Sequence, residues 1–251
     1  MRKSLRTHRI LLTAAGCACF TASAGADTLG SVTSDYVGSQ YGGYGYSYSL
    51  QVNATTTVHK TAPTAVYKWD IGNKIVETFC IEIRAYFSAN DIIDYDVVDL
   101  DDAPNEGVGV NPSNGVYNGN MTSDRATDLR KLWAAYRDQV NSTETAAAFQ
   151  IAIWEIVFDD GLELASGTFS SYNGSTAKVT QVGTPEYQAQ AWLNSLANLN
   201  EEANLVAWTA DSPEKQDQVT VVVPTPTALG GGLAMLGMIV FGNRRRRDIS
   251  A

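Results

Sequence analysis

Cysteine, histidine and the familiar cofactor motifs are what this 251-residue chain has least of. Its three cysteines are Cys17, Cys19 and Cys80, and its two histidines are His8 and His59. The chain has no Cys/His spacing typical of zinc sites, no glycine-rich phosphate loop and no dinucleotide fingerprint. These absences argue against zinc-dependent and nucleotide-dependent enzymes. We expect neither a cofactor nor a metal ion.

Basic residues are also scarce between Asp27 and Val223, where 26 acidic residues stand against 10 basic ones, a balance of -16. The whole chain carries only -9, because the remaining basic residues lie at its two ends. A region this acidic repels phosphate backbones, which excludes nucleic acid as a partner. Basic residues beside apolar stretches at both ends indicate membrane-directed sorting instead.

Residues 1–26 have the organisation of a secretory signal peptide. A basic start precedes the apolar stretch 10–20, and Ala24-Gly25-Ala26 provides an A-x-A cleavage site before Asp27. A lipoprotein box ending at Cys17 is an alternative, although it lacks the usual large aliphatic residue. Cleavage after Ala26 would leave Cys80 as the only cysteine of a secreted protein, and one cysteine cannot form an internal disulfide.

Residues 223–251 form a three-part tail with a proline motif, an apolar glycine-rich stretch at 228–241 and a terminal arginine cluster. The tail resembles the PEP-CTERM sorting signal of Gram-negative bacteria, with threonine in place of the usual glutamate. The resemblance implies recognition by exosortase-type machinery, a short transmembrane helix, and display at the cell surface or in an extracellular matrix. An ordinary C-terminal membrane anchor is the alternative. The signal residues are Pro224, Thr225, Pro226, Arg244, Arg245, Arg246 and Arg247.

Residues 27–222 are predicted to form one α+β domain, an antiparallel β-sheet or sandwich with an inserted bundle of about three helices. Strands precede and follow the helical patterns, and no internal repeat is present. Tyr46, Tyr48 and Leu50 alternate with small or polar residues, as in a half-exposed strand. Gly72 and Asn73 separate two apolar segments and predict a two-residue hairpin turn. Further strands are predicted at 92–100, 205–208 and 218–223.

The helices are predicted from Ser123 as an N-cap, over 146–158 and from Pro185. The second of these is apolar on every side, which is typical of a buried helix. Only Gln150 and Glu155 interrupt it. We expect Glu155 to point outward with Asp159, whereas Gln150 remains in the core and needs hydrogen-bond partners.

Cys80 and Gln150 form a candidate chemical pair. A cysteine sulfur that attacks a glutamine carboxamide expels ammonia and leaves a thioester, which apolar surroundings protect from water. Phe79-Cys80-Ile81 followed by the stretch from Gln150 through Ala152 to Trp154 resembles the TQXA-type thioester domains of bacterial surface adhesins. Phe149 stands where that family has threonine.

The resemblance implies a spontaneous Cys80–Gln150 bond that attaches a surface protein covalently to an extracellular target bearing amines or hydroxyls. It implies no enzymatic turnover. The predicted walls of the thioester pocket are Phe79, Ala152, Ile153 and Trp154.

Other interpretations stay open at this stage. Cys80 and Gln150 could be ordinary core residues of a non-covalent matrix or envelope protein, or Cys80 could pair with His59 as a hydrolase dyad. The tyrosines between Tyr36 and Tyr48 could form a sugar-stacking surface or an ordinary strand edge. An acidic run could bind calcium or form a solvated face, and it comprises Asp94, Asp96, Asp99, Asp101 and Asp102.

Overall fold

The computed structural model describes residues 28–53, 56–83, 85–103, 121–159, 161–171, 176–212 and 214–222. The predicted signal peptide at 1–26 and the predicted sorting tail at 223–251 lie outside these ranges. Within them, no helix is both long enough and apolar enough to cross a membrane.

In the part of the chain that the structure describes, seven strands form one antiparallel sheet. The first eight residues of the first strand pair with the fourth strand, and the rest, from Asp35 on, pairs with the second strand. Together with the remaining pairings this closes six strands into a ring, and the short fifth strand attaches outside it. The predicted antiparallel sheet is confirmed, as one sheet rather than a two-sheet sandwich. The strands are β1 (Thr28–Asn53), β2 (Thr56–Asp70), β3 (Ile75–Cys80), β4 (Ile92–Asp99), β5 (Phe169–Ser171), β6 (Leu205–Ala210) and β7 (Gln218–Val221).

The β2–β3 hairpin confirms the predicted two-residue turn. Gly72 and Asn73 have φ angles of 57° and 70°, the left-handed pair that a type I′ turn requires. Ile71 and Lys74 exchange backbone hydrogen bonds on either side of the turn. This turn fixes the register of the two strands and therefore which side chains of β2 lie beside the end of β3.

Among the described residues between β4 and β6 there are four α-helices, which agrees with the predicted helical insertion. The first helix is capped by Thr122, one residue earlier than predicted, because its hydroxyl accepts the N–H of Arg125. The second starts at Thr143, where Ser142 and Thr145 form a capping box. The helices are α1 (Ser123–Tyr136), α2 (Thr143–Phe158), α3 (Thr176–Thr180) and α4 (Pro185–Ser195).

Helix α2 is the central element of the core. Every residue from Ala146 to Phe158 is buried, because the helix packs on β1 and β2 and is covered by α1 and α4. A helix enclosed by a sheet and two other helices has no solvent-facing side.

The burial of α2 corrects the prediction that Glu155 points to solvent. Its side chain is fully buried, and neither carboxylate oxygen has a hydrogen-bond partner within the described residues. Burial raises the pKa of Glu155 from 4.5 to about 9, and the charges of Asp159 and Glu163 raise it further. The backbone N–H of Glu163, which lies near the carboxylate but outside ordinary hydrogen-bond geometry, lowers the pKa by a smaller amount. The carboxyl group is therefore protonated at neutral pH.

Candidate functional site

Cys80 is the last residue of β3, and contacts with the neighbouring strands β7 and β2 fix this end of the strand. It pairs with Gln218 on β7, next to the pair formed by Phe79 and Val219. The hydroxyl of Thr78, two residues earlier, donates to the carboxamide oxygen of Gln218 at 2.8 Å. The indole N–H of Trp69 donates to the same hydroxyl at 2.9 Å. These buried bonds fix the end of the strand that carries the thiol.

The carboxamide of Gln150 lies directly against Cys80. Its Oε1 accepts the backbone N–H of Cys80 at 3.1 Å and lies 3.3 Å from Sγ, which donates to it. Its Nε2 donates to the carbonyl oxygen of Cys80 at 2.8 Å. Both side chains are fully buried.

The Gln150 carboxamide makes the two backbone hydrogen bonds that a neighbouring strand would otherwise make with Cys80. The N–H of Ile81 donates to Asp217 on the β7 side. Consecutive N–H groups of a strand point in opposite directions, so the backbone N–H and C=O of Cys80 point away from β7, towards the side of β2. The pairing of β2 with β3 has already ended there, at Tyr67 and Thr78. Gln150 supplies there the donor and the acceptor that β2 does not.

Burial dominates the electrostatics of the thiol and raises the pKa of Cys80 far above its ordinary value. The indole N–H of Trp154 and the hydroxyl of Tyr67 lie near the sulfur and lower that pKa by a smaller amount, while the nearby charge of Glu82 adds to the increase. The Trp154 N–H has no other hydrogen-bond acceptor of ordinary geometry within the described residues. The thiol is therefore protonated and has two polar donors beside it.

The four predicted wall residues occupy different positions. Phe79 packs on Phe149 at 4.8 Å between ring centroids and on Trp133 at 5.7 Å, as part of the aromatic core beside the pair. The indole N–H of Trp154 lies near the sulfur and lowers the pKa of Cys80. Ala152 and Ile153 are fully buried on the same helix.

Tyr67 is a site residue that sequence reasoning missed. The hairpin register pairs Tyr67 with Thr78, and Thr78 and Cys80 lie on the same face of β3. A residue opposite Thr78 is the diagonal neighbour of Cys80. The Gly72-Asn73 turn, read together with this alternation, was the signal that could have identified Tyr67.

The structure places the other candidate residues elsewhere. The Nδ1 of His59 lies 2.8 Å from the hydroxyl of Ser49, its cross-strand partner. His59 is eight residues along β2 from Tyr67, about 26 Å for an extended strand, so it does not reach the thiol in this arrangement.

In the acidic run, Asp99 and Asp101 both accept hydrogen bonds from Arg130, at 2.8 and 2.7 Å. Across the described ranges, no group of three or more His, Cys, Asp or Glu side chains is arranged to hold a metal ion. The interpretation as an acidic surface, here paired with an arginine, fits these contacts.

The sugar-stacking surface proposed between Tyr36 and Tyr48 divides between two environments. Tyr46 and Tyr48 are core residues that stack near Phe169. Tyr36 and Tyr41 are partly exposed beside the core. The segment therefore does not present a continuous row of exposed rings.

Comparisons with known proteins give distant structural similarities. No protein-family model matches the chain, and no curated protein matches it. The N-terminal thioester domain of fibronectin-binding protein SfbI from Streptococcus pyogenes is 13% identical, with a TM-score of 0.41, covering 64% of this chain and 87% of that one. The N-terminal domain of the Streptococcus pyogenes pilus tip adhesin Cpa is 14% identical, with a TM-score of 0.41, covering 74% and 95%.

The N-terminal thioester domain of a surface protein from Clostridium perfringens is 12% identical, with a TM-score of 0.34, and the match covers 70% of this chain and 98% of that one. Similarity this distant carries no argument about function. Any functional inference rests on the residues around Cys80 and Gln150.

Proposed function

We propose that Cys80 and Gln150 form an internal thioester, and that a secreted, surface-displayed protein uses it for covalent attachment to an extracellular partner. The observation that supports this proposal is the contact of Cys80 Sγ with the Gln150 carboxamide, 3.3 Å from Oε1, inside a fully buried pocket. A nucleophile held in hydrogen-bond contact with the oxygen of the acyl group has little translational freedom left to lose on reaction.

Bond formation needs no residue outside the pocket. The sulfur attacks Cδ of Gln150, the C–N bond breaks, and Nε2 leaves as ammonia after taking the thiol proton. The backbone N–H of Cys80 already donates to Oε1, where negative charge develops in the tetrahedral intermediate. The Sγ–H···Oε1 contact brings the thiol proton to the same group, so a free thiolate, which burial disfavours, is not required.

Attachment reverses the roles of sulfur and nitrogen. An external amine attacks Cδ, an amide forms, the C–S bond breaks, and the proton lost by the amine nitrogen returns to Sγ. The leaving sulfur carries negative charge in a pocket that disfavours it, and the donors of Tyr67 and Trp154 offset part of that cost. Each molecule reacts once, so the protein is a covalent binder and not an enzyme.

The ends of the chain support the proposed location. A signal peptide at 1–26 would direct export, and the tail at 223–251 would hold the protein at the membrane until exosortase-type machinery processes it. Extracellular display would expose the domain to the amine-bearing surfaces with which a thioester reacts.

The mass of the intact mature protein tests the proposed bond. We expect a deficit of one ammonia relative to the mass calculated from the sequence, because that is the only group lost on cyclisation. Cys80→Ala and Gln150→Ala should each show no deficit. Incubation of the wild type with methylamine should replace the deficit by one methylamine adduct on residue 150.

Gln190→Ala provides the matched control. Gln190 is also a buried helical glutamine, and its carboxamide also bonds backbone groups, at Leu164 and Leu162, but the thiol is not one of its partners. The ammonia deficit should persist in this variant.

A wild type of full mass with an alkylatable thiol after unfolding would contradict the thioester. It would instead favour a non-covalent structural role for the domain. Two hydrogen bonds support that second candidate: the backbone of Cys80 already satisfies both ends of the Gln150 carboxamide without a covalent bond.

A further inference from the structure

A cleft of about 460 Å³ lies next to the Cys80–Gln150 pair. Its lining includes Tyr67 and Trp154, the two residues whose polar groups flank the sulfur. Tyr36, Tyr86 and Phe87 also line it. The rings of Tyr36 and Phe87 are 4.6 Å apart, and those of Tyr67 and Phe87 are 4.9 Å apart, so much of the wall is one aromatic cluster.

The aromatic wall separates the cleft from the reacting atoms. Cys80 and Gln150 are fully buried, Trp154 is 1% exposed and Tyr67 is 7% exposed. The Tyr67 hydroxyl makes a long hydrogen bond of 3.5 Å to the carbonyl of Pro63 and lies beside the sulfur, whereas Trp154 lies in the middle of α2. Rotation of the Tyr67 ring would open the cleft towards the pair, whereas the helix fixes the position of Trp154.

The described lining residues carry no charged group and no imidazole. An alcohol needs a general base to attack an acyl group, and the described lining residues offer no carboxylate or imidazole for that role. A primary amine needs only to lose its own proton. The apolar wall favours that loss, because desolvation lowers the pKa of an ammonium group.

From this geometry we infer that the cleft is the entrance for the attacking nucleophile, and that its aromatic wall selects a primary amine on an unbranched apolar stem over hydroxyls and over amines whose stem ends in a carboxylate. This inference rests on the proposed thioester. The selected group has the chemistry of a lysine side chain or a simple alkylamine. The stem lies along the rings of Tyr36, Tyr86 and Phe87 while the nitrogen reaches residue 150.

Rates of reaction with n-alkylamines test the inference. Methylamine, ethylamine, propylamine and butylamine have nearly the same basicity and differ in stem length. Full burial of each added methylene corresponds to a rate increase of up to about fourfold. We expect second-order rate constants, measured from intact mass, to rise along the series. 5-Aminopentanoate, which ends in a carboxylate, should react no faster than methylamine, and butanol should form no ester.

Tyr86→Ser removes the most exposed ring of the cleft, and its side chain is 69% exposed, so folding should be unaffected. It should flatten the alkyl series, so that the butylamine rate falls towards the methylamine rate. Tyr187→Ser, on α4 and outside the cleft, is the control and should retain the slope.

The outcomes separate the two claims. A wild type with neither the ammonia deficit nor a methylamine adduct would contradict the proposed thioester itself. A methylamine adduct with equal rates along the wild-type series, or a full slope in Tyr86→Ser, would overturn the assignment of the cleft and leave the thioester intact. An ester formed with butanol would overturn the selection against hydroxyls.

Discussion

Replacing Glu155 by glutamine is expected to raise the free energy of unfolding at pH 7 by up to about 3 kcal/mol. In the folded protein the carboxyl group is fully buried without a hydrogen-bond partner in the described residues, and its pKa is raised from 4.5 to about 9. At pH 7 the unfolded chain releases this proton and the folded chain keeps it. The wild type therefore bears a protonation cost that glutamine, which cannot ionise, does not have.

The pH dependence of stability gives the clearer signal. A carboxyl with a raised folded pKa binds more protons in the folded state, so its contribution is fully favourable below pH 4.5 and is lost as pH rises towards 9. The wild type should lose up to about 1.4 kcal/mol per pH unit relative to Glu155→Gln within this window. Urea unfolding at pH 5, 7 and 9 measures the difference.

Glu144→Gln is the control for this experiment. Glu144 lies in the first turn of the same helix but is exposed, so its replacement should change stability by only a few tenths of a kcal/mol. Parallel pH profiles for the wild type and Glu155→Gln would show that the carboxyl is not buried in solution.

The sequence predicted the turns and helices whose formation depends on residues close together in the chain. Gly72 and Asn73 can both adopt positive φ at little cost, so the turn and its hairpin follow from the dipeptide. The apolar stretch from Ala146 to Phe158 predicts a buried helix, whatever covers it. The spacing of Gln150 and Trp154, with the lone Cys80, predicted a site whose residues the fold brings together.

The features that sequence did not predict depend on long-range packing. Glu155 was expected outside because a charged residue usually faces water, but α1, α4 and the sheet enclose the helix on every side. The closure of the ring depends on β1, which changes partner from β4 to β2 at Asp35, and no local pattern marks that change. The cleft likewise combines residues of β1, β2, α2 and the segment after β3, and only the fold reveals their proximity.

Tyr67→Ala is expected to remove the proposed thioester from the mature protein by hydrolysis. Tyr67 stands between the cleft and the sulfur, and its ring and hydroxyl are what close the pocket on that side. Truncation to alanine lets water reach the acyl carbon, which apolar surroundings otherwise protect. Intact mass should then show a product one water heavier than the thioester form, and peptide mapping should find glutamate at position 150.

Loss of packing has to be separated from loss of the closing ring. Removal of a buried aromatic side chain costs about 3–5 kcal/mol, so Tyr67→Ala will also be less stable. Tyr48→Ala makes a comparable cavity, since Tyr48 is 3% exposed and packs on Phe169 at 5.6 Å, but it does not line the cleft. This control should be destabilised to a similar extent and keep its ammonia deficit.

Tyr67→Phe distinguishes the ring from its hydroxyl. The ring should keep water out, so the thioester should persist, while loss of a donor beside the sulfur should slow its release during aminolysis. A thioester in Tyr67→Ala as long-lived as in the wild type would show that water is excluded elsewhere. Hydrolysis in both Tyr67 variants would assign the protection to the hydroxyl. Hydrolysis in the alanine variant alone assigns it to the ring, which would then act both as the barrier to water and as the opening for the amine.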